Sequence, residues 1–223
     1  MAAILLYHSI DSCVIDPVLQ VRPETLEQHL AWTQELGYRL ATLDDAVTHS
    51  ADSLLAVTFD DGFRDFHSAH ALLKRHIAPT LFVCAGMLGG PNSWASPGRF
   101  RAPLLDLAEL KALAAGGVEI GCHGWEHRPF VGRDPEELAE ELERCQAWFR
   151  RNLGTCARHF AYPFGHCDDA ALRAVGAEFS YAYSVGPSFT DPTPRHRIPR
   201  IQPWESMTLE DFSEQLDIGA FAL

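Results

Sequence analysis

The sequence predicts an α/β fold: a parallel sheet buried on both faces, closed into an α/β barrel or opened into a doubly wound sheet. Three observations predict it. Apolar runs of strand length alternate with amphipathic segments of helix length along nearly the whole chain. The strand-like runs are almost continuously apolar, the pattern of strands covered by helices on both faces. There are about seven such runs, and 223 residues suit one domain, spanning 1–223, with a sizeable core.

The elements follow in order. AAILLYH at 2–8 is a short β run. ETLEQHLAWTQELG at 24–37 places Leu26, Leu30 and Leu36 at helical spacing, and Gly37 stops it. LLAVTFD at 54–60 is a second β run, FRDFHSAHALLKRHI at 63–77 a helix ended by Pro79, and TLFVCAG at 80–86 a third strand. Residues 86–104 are rich in Gly, Pro and Ser and read as a long loop of the kind that carries function. LLDLAELKALAAGG at 104–117 is a helix with a glycine stop, and VEIGCH at 118–123 a strand. A helix over 134–152 starts with Asp134 as cap and Pro135 at its first position. HFAYPFG at 159–165 is β, DDAALRAVG at 168–176 helix, FSYAYSV at 179–185 β, and RIPRIQ at 197–202 a short β run before a final helix near 208–217.

Composition excludes some functions. The formal net charge of −12 repels a polyphosphate backbone, so nucleic acid is not an expected partner. No stretch approaches the length of a membrane span. The start of the chain has no basic region ahead of its apolar run, so the cytoplasm is the expected location. Six cysteines, at 13, 84, 122, 145, 156 and 167, form no C-x-x-C pair and read as reduced, mostly buried thiols.

In a parallel α/β fold chemistry collects at the carboxyl ends of the strands. The reactive residues fall there: His8 ends the first run, Asp60 and Asp61 the second, His123 and His127 follow VEIGC, and Tyr162, Pro163 and Phe164 lie at the end of HFAYPFG. Taken singly each is ordinary, because Asp-Asp-Gly is usually a turn and a lone histidine is usually a hydrogen-bonded core residue. Together they suit a metal centre. Two imidazoles and one carboxylate match zinc or a similar divalent ion, leaving the other aspartate beside it to take a proton from water. Spacing does not say which of Asp60 and Asp61 does which. The stretch CHGWEHRPF at 122–130 also contains H-x-x-E-H, a zinc-protease signature that works only on a helix. Its strand-like lead-in, its glycines and Pro129 argue for a loop, with Glu126 a solvated bystander. Trp94, in the long loop, and Trp125, between the histidines, are candidates for stacking on sugar rings or for packing the loops.

These residues resemble the polysaccharide deacetylase family, also called the nodulation-protein-B homology family or carbohydrate esterase family four, over roughly residues 4–202. TFDDG at 58–62 is its first motif as it stands, and HGWEH at 123–127 is similar to its H-[ST]-x-x-H motif. FAYPFG at 160–165 and LLYHSI at 5–10 resemble the exopolysaccharide-deacetylase branch. The resemblance implies a distorted, incomplete (β/α) barrel, consistent with about seven parallel strands, and metal-dependent removal of N-acetyl groups from a sugar polymer or saccharide, with one divalent ion, most simply zinc. It implies Asp60 as general base, Asp61, His123 and His127 as metal ligands and His8 as general acid. The Tyr162 backbone would help bind the oxyanion, and Pro163 and Phe164 would line the groove. Three departures stand out: Gly124 replaces the Ser/Thr after the first histidine, Ala161 stands where an Arg orienting the base is expected, leaving Arg64 or Arg200 to replace it, and the tryptophan motif of the acetyl pocket is not evident. Alternatives are a hydrolase of other small amides or imides on the same fold, a non-catalytic carbohydrate-binding protein, and the zinc protease.

Overall fold

The structure, a computed structural model, describes residues 2–10, 19–49, 53–95, 101–186 and 193–220. Seven parallel strands form one sheet. β1 (Ala3–Tyr7) pairs along its whole length with β3 (Leu54–Phe59), and the order runs on through β4 (Thr80–Val83), β5 (Glu119–Cys122), β6 (His159–Ala161) and β7 (Tyr181–Tyr183). β2 (Arg39–Leu40) pairs with the start of β3, while β4 pairs with its end. The helices are α1 (Pro23–Glu35), α2 (Leu43–Thr48), α3 (Phe66–Leu73), α4 (Leu107–Ala115), α5 (Pro135–Leu153), α6 (Asp169–Glu178) and α7 (Leu209–Gly219).

Strand alternation divides the core in two. Leu5, Tyr7, Val57, Phe59, Leu81, Val83, Cys122 and Phe160 face outward into one cluster with the apolar residues of α1 and α3 to α7. Ile4, Leu54, Ala56, Phe82, Ala161 and Tyr183 face inward and meet Leu43, Ala46 and Val47 of α2, which plugs the amino end of the barrel. Both faces of β1, β3 and β4 are buried, as their continuous apolar runs require.

The expected helix caps are present. Asp134 accepts from the Glu136 and Glu137 amides at the head of α5, and Asp106 forms a capping box with Glu109 on α4. The structure departs from the sequence reading in three places. HFAYPFG, read as β throughout, leaves the sheet after Ala161 and makes a 3₁₀ turn over Pro163–Gly165. β2 and α2, between 39 and 48, are too short to show a period and went unread. RIPRIQ is not a strand; it makes single parallel bridges, Ile198 to Tyr183 and Ile201 to Leu5. These bridges span the gap between β7 and β1. The Ile201 amide donates to Ile4 (2.9 Å), the Leu6 amide to Ile201 (2.7 Å), and the Ile198 amide to Ala182 (2.9 Å). The result is a distorted, incomplete (β/α) barrel whose open seam is stitched by residues 198–201. Among the described cysteines, Cys84, Cys122 and Cys145 are buried, Cys167 is partly buried, Cys156 is exposed, and all five are free; Cys13 lies outside the described residues.

Candidate metal centre and active site

The carboxyl ends of β1, β3 and β5 deliver His8, Asp60–Asp61 and His123 to one cavity of about 340 Å³, which His127, Trp94, Phe164 and His166 also line. The Asp60 amide still donates to the Tyr7 carbonyl (2.9 Å) and the His123 amide to Val83 (2.9 Å), so both residues are fixed by the last rungs of the sheet. After each, the chain turns sharply. Four described non-glycine residues have positive φ, and three of them, Asp61 (73°), His127 (54°) and Phe164 (63°), are here. Backbone held in this region is costly and persists where the surroundings over-determine it. At Gly62 (φ 75°) a Cβ would lie 3.0 Å from Val83 Cγ1, so the turn that aims Asp61 needs glycine.

Asp61, His123 and His127 present donor atoms all within 4.8 Å of one another. Asp61 Oδ1 is 3.4 Å from His123 Nε2 and 3.2 Å from His127 Nε2. His123 Nδ1 lies 2.8 Å from the Ala161 carbonyl, which can only accept. That contact uses the one hydrogen of a neutral imidazole, so Nε2 turns a lone pair towards a carboxylate oxygen. Two acceptors facing each other in a buried site require a cation or a proton between them. Burial works against the charged imidazolium, but Asp60 and Asp61 outweigh it and raise the His123 pKa. Asp61 Oδ1, His127 Nδ1 and His8 Nδ1 are buried and make no hydrogen bond among the described residues. This donor set fits a divalent ion bound by two nitrogens and one oxygen.

Asp60 is held apart from that trio. Both its oxygens accept from Arg200, Nη1 to Oδ1 and Nη2 to Oδ2, each at 2.7 Å. Burial would raise the Asp60 pKa, but the Arg200 guanidinium, together with the charges of His123 and His8, outweighs it and leaves the carboxyl below its ordinary value. Arg200 is 1% exposed, also bonds Thr58 Oγ1 and the Ser184 carbonyl (3.3 Å each), and comes from the segment that stitches the barrel seam. Of the two arginines the sequence offered in place of the one missing at Ala161, Arg200 is the one that pairs with Asp60. Arg64 is instead on the surface, paired with Glu109 at 3.1 Å. The signal for Arg200 was an arginine within an otherwise apolar run between two buried isoleucines. Burial lowers the pKa of His8 despite the opposing charges of Asp61 and Asp60.

Several expected residues sit elsewhere. Tyr162 is fully buried, its amide donates to the Tyr183 carbonyl (3.1 Å) and its hydroxyl to His196 (3.0 Å), so its N–H is spent on the sheet instead of facing an oxyanion. Pro163 is buried beneath the ligand loop, its Cγ 3.6 Å from where a Gly124 Cβ would stand. Trp125 does not line the cavity; it packs against Gly86 and carries the Arg144 guanidinium 3.7 Å over its ring. Phe164 and Trp94 are in the cavity wall. Trp94 stacks on the His127 ring (4.4 Å between centroids) and Phe164 meets it edge-on (4.5 Å). Gly165 also lines the wall, as do Leu19, Val185 and Gln202, which carried no motif. Residues 123–130 form no helix and Glu126 is exposed, which removes the zinc-protease geometry.

A second cluster, Asp44, Glu119 and His159, lies at the opposite end of the barrel. His159 Nε2 is 3.1 Å from Asp44 Oδ1 and 3.2 Å from Glu119 Oε1, and its Nδ1 is 2.7 Å from the Tyr183 hydroxyl.

Fold and donor set together define a class: parallel barrels that gather carboxylates and imidazoles at the carboxyl ends of their strands. The family model described as Polysaccharide deacetylase matches residues 48–183, and the chain belongs to that family. Its fold is shared by IcaB from Ammonifex degensii (22% identity, TM-score 0.80, covering 99% of this chain and 97% of that one). It is also shared by the Streptococcus pyogenes deacetylase PplD solved with acetate (21%, 0.77, 96% and 97%) and by BC0361, a polysaccharide deacetylase from Bacillus cereus (21%, 0.76, 96% and 68%). At these identities the likeness is one of fold. No curated protein matches the sequence.

Proposed function

We propose that this protein is a metal-dependent deacetylase that hydrolyses N-acetyl groups of an acetylated polysaccharide or saccharide, releasing acetate and a free amine. The observation that carries the reading is the pairing of a buried Asp61–His123–His127 donor set with a separate, arginine-held Asp60 in one cavity. A divalent ion, zinc best matching two imidazoles and a carboxylate, would be held by Asp61, His123 and His127 and would supply Lewis acidity to the carbonyl and to water.

The chain's own residues do the rest. Asp60, kept ionised by Arg200, accepts the proton of the attacking water on a lone pair that the guanidinium leaves open. His8, across the cavity, delivers a proton to the departing amine; burial lowers its pKa, so it acts as the minority imidazolium at neutral pH. Trp94 and Phe164 flank His127 and present aromatic edges and faces to a sugar ring. The branch with an N-terminal YHSI motif accounts for a histidine supplied by β1.

Acetate release from N-acetylglucosamine oligomers, measured with metal content on the same sample, tests this. Acetate production that a chelator abolishes and zinc restores supports the reading. Bound metal without acetate release would move the activity to another amide.

A further inference from the structure

The loop that carries His123 and His127 is held at its midpoint, Trp125, by its neighbours. The Trp125 carbonyl accepts from the Gly86 amide (2.9 Å) and the Gly124 carbonyl from Ala85 (3.3 Å), which ties one side to the end of β4. On the other side the Trp125 amide donates to Glu141 Oε1 (2.9 Å), on α5. Glu141 Oε2 in turn accepts from Arg133 Nη1 at 2.7 Å. Both side chains are about nine-tenths buried, at 9% and 10% exposed. The Arg133 guanidinium lies 5.4 Å over the ring of Phe130, which packs edge-on against Phe160 of β6. Gly124 has φ 79°, and a Cβ there would stand 3.2 Å from Glu141 Oε1, so the glycine is what lets the carboxylate come this close.

We infer that Glu141 is a positioning residue of the metal centre: it clamps the peptide between the two histidine ligands, with Arg133 as its counter-ion, and never touches the cation. This rests on reading Asp61, His123 and His127 as the cation site. Stability alone does not call for the pair, since a buried ion pair is commonly replaceable by apolar side chains at little cost. A charge-assisted bond to the amide between two ligands fixes their geometry, and partners of this kind are worth about 10–100-fold in metal affinity.

The test is zinc affinity by competition with a chromogenic chelator, with the melting temperature of the metal-free protein measured beside it. Glu141→Leu removes the acceptor and is expected to weaken zinc binding about 10–100-fold, with lost activity restored by excess zinc. Glu141→Gln keeps an oxygen for the Trp125 amide and is expected to stay within about threefold of the parent, below the range for a lost partner. Glu143→Ala, on the exposed side of the same helix, should change nothing. Unaltered affinity in Glu141→Leu, or an equal loss in Glu143→Ala, would overturn the inference. If Glu141→Leu does not fold, Glu141→Asp keeps the charge but is one methylene short; weakened binding supports the clamp and parental affinity overturns it. A parent protein that binds no zinc overturns the site and this inference together. One that binds zinc but releases no acetate overturns only the activity, and the affinity comparison still decides the role of Glu141.

Discussion

The two ends of the barrel hold clusters of the same residue types, two carboxylates and one histidine at the amino end, one carboxylate and two histidines at the other. They differ in how their polar atoms are satisfied. At the amino end His159 Nδ1 meets the Tyr183 hydroxyl, Nε2 is shared by Asp44 and Glu119, Thr80 Oγ1 donates to Glu119 Oε2 (2.8 Å), and Arg158 pairs with Asp44. Each acceptor there has a donor of the protein's own, and the two carboxylates are 38% and 31% exposed. At the carboxyl end Asp61 is 3% exposed, and Asp61 Oδ1, His127 Nδ1 and His8 Nδ1 are buried with no hydrogen bond among the described residues. Proximity of ligand-type atoms is therefore common to both clusters, while incomplete satisfaction in a buried site belongs to one. The second property is the one that calls for a cation or a proton between the facing acceptors.

The comparison can be broken in several places. The largest effect is expected from Asp60→Asn. It removes the proton acceptor but no metal ligand, so acetate release should fall about 10²–10⁴-fold while zinc content stays at the parent level. Full activity would remove Asp60 from its role. Next is Arg200→Ala, which strands a buried carboxylate. Denaturant unfolding should show a loss of about 3–5 kcal/mol, with Arg200→Met losing activity too, because Asp60 is no longer held. Trp94→Ala, which takes one aromatic face from His127, should reduce kcat/KM about two- to tenfold.

The smallest effect lies at the amino end and is one of pH. Burial would raise the Glu119 pKa, but the hydrogen bond and charge of His159 and the bond from Thr80 lower it below its ordinary value of 4.5. The unfolded chain therefore binds this proton more readily than the folded one. The resulting stability is present above about pH 4.5 and is lost as the pH falls through the lower folded value. Glu119→Gln should flatten that acid limb by about 1 kcal/mol or less without changing zinc affinity. An acid limb as steep as the parent's would show that Glu119 adds nothing to it.

Much of this site was legible in the sequence because it hangs on strand ends. The strand-like runs mark β1, β3 and β5, and the polar residue that follows each is the one placed at the cavity. Residues whose role depends on a crossing of distant segments were at best candidates: the sequence left Arg64 and Arg200 undecided. Arg200 reaches Asp60 from 140 positions away, and only the seam between β7 and β1 shows why. Glu141 lies on the strongest helix pattern of the chain, where a glutamate reads as solvated until the packing of Phe130 and Gly124 beside it is known. Tyr162 shows the opposite error. Motif position pointed its amide at substrate, but the hydrogen bond to Tyr183 consumes it. β2 and α2 escaped because elements of two and six residues carry too few positions to establish a period.

The most direct test is the zinc stoichiometry and affinity of three proteins side by side: the parent, Asp61→Asn and Glu119→Gln. The account predicts one zinc per chain in the parent, affinity lowered by an order of magnitude or more in Asp61→Asn, and parental binding in Glu119→Gln. Zinc retained at parental affinity in Asp61→Asn and lost in Glu119→Gln would place the ion at the wrong end of the barrel and contradict it.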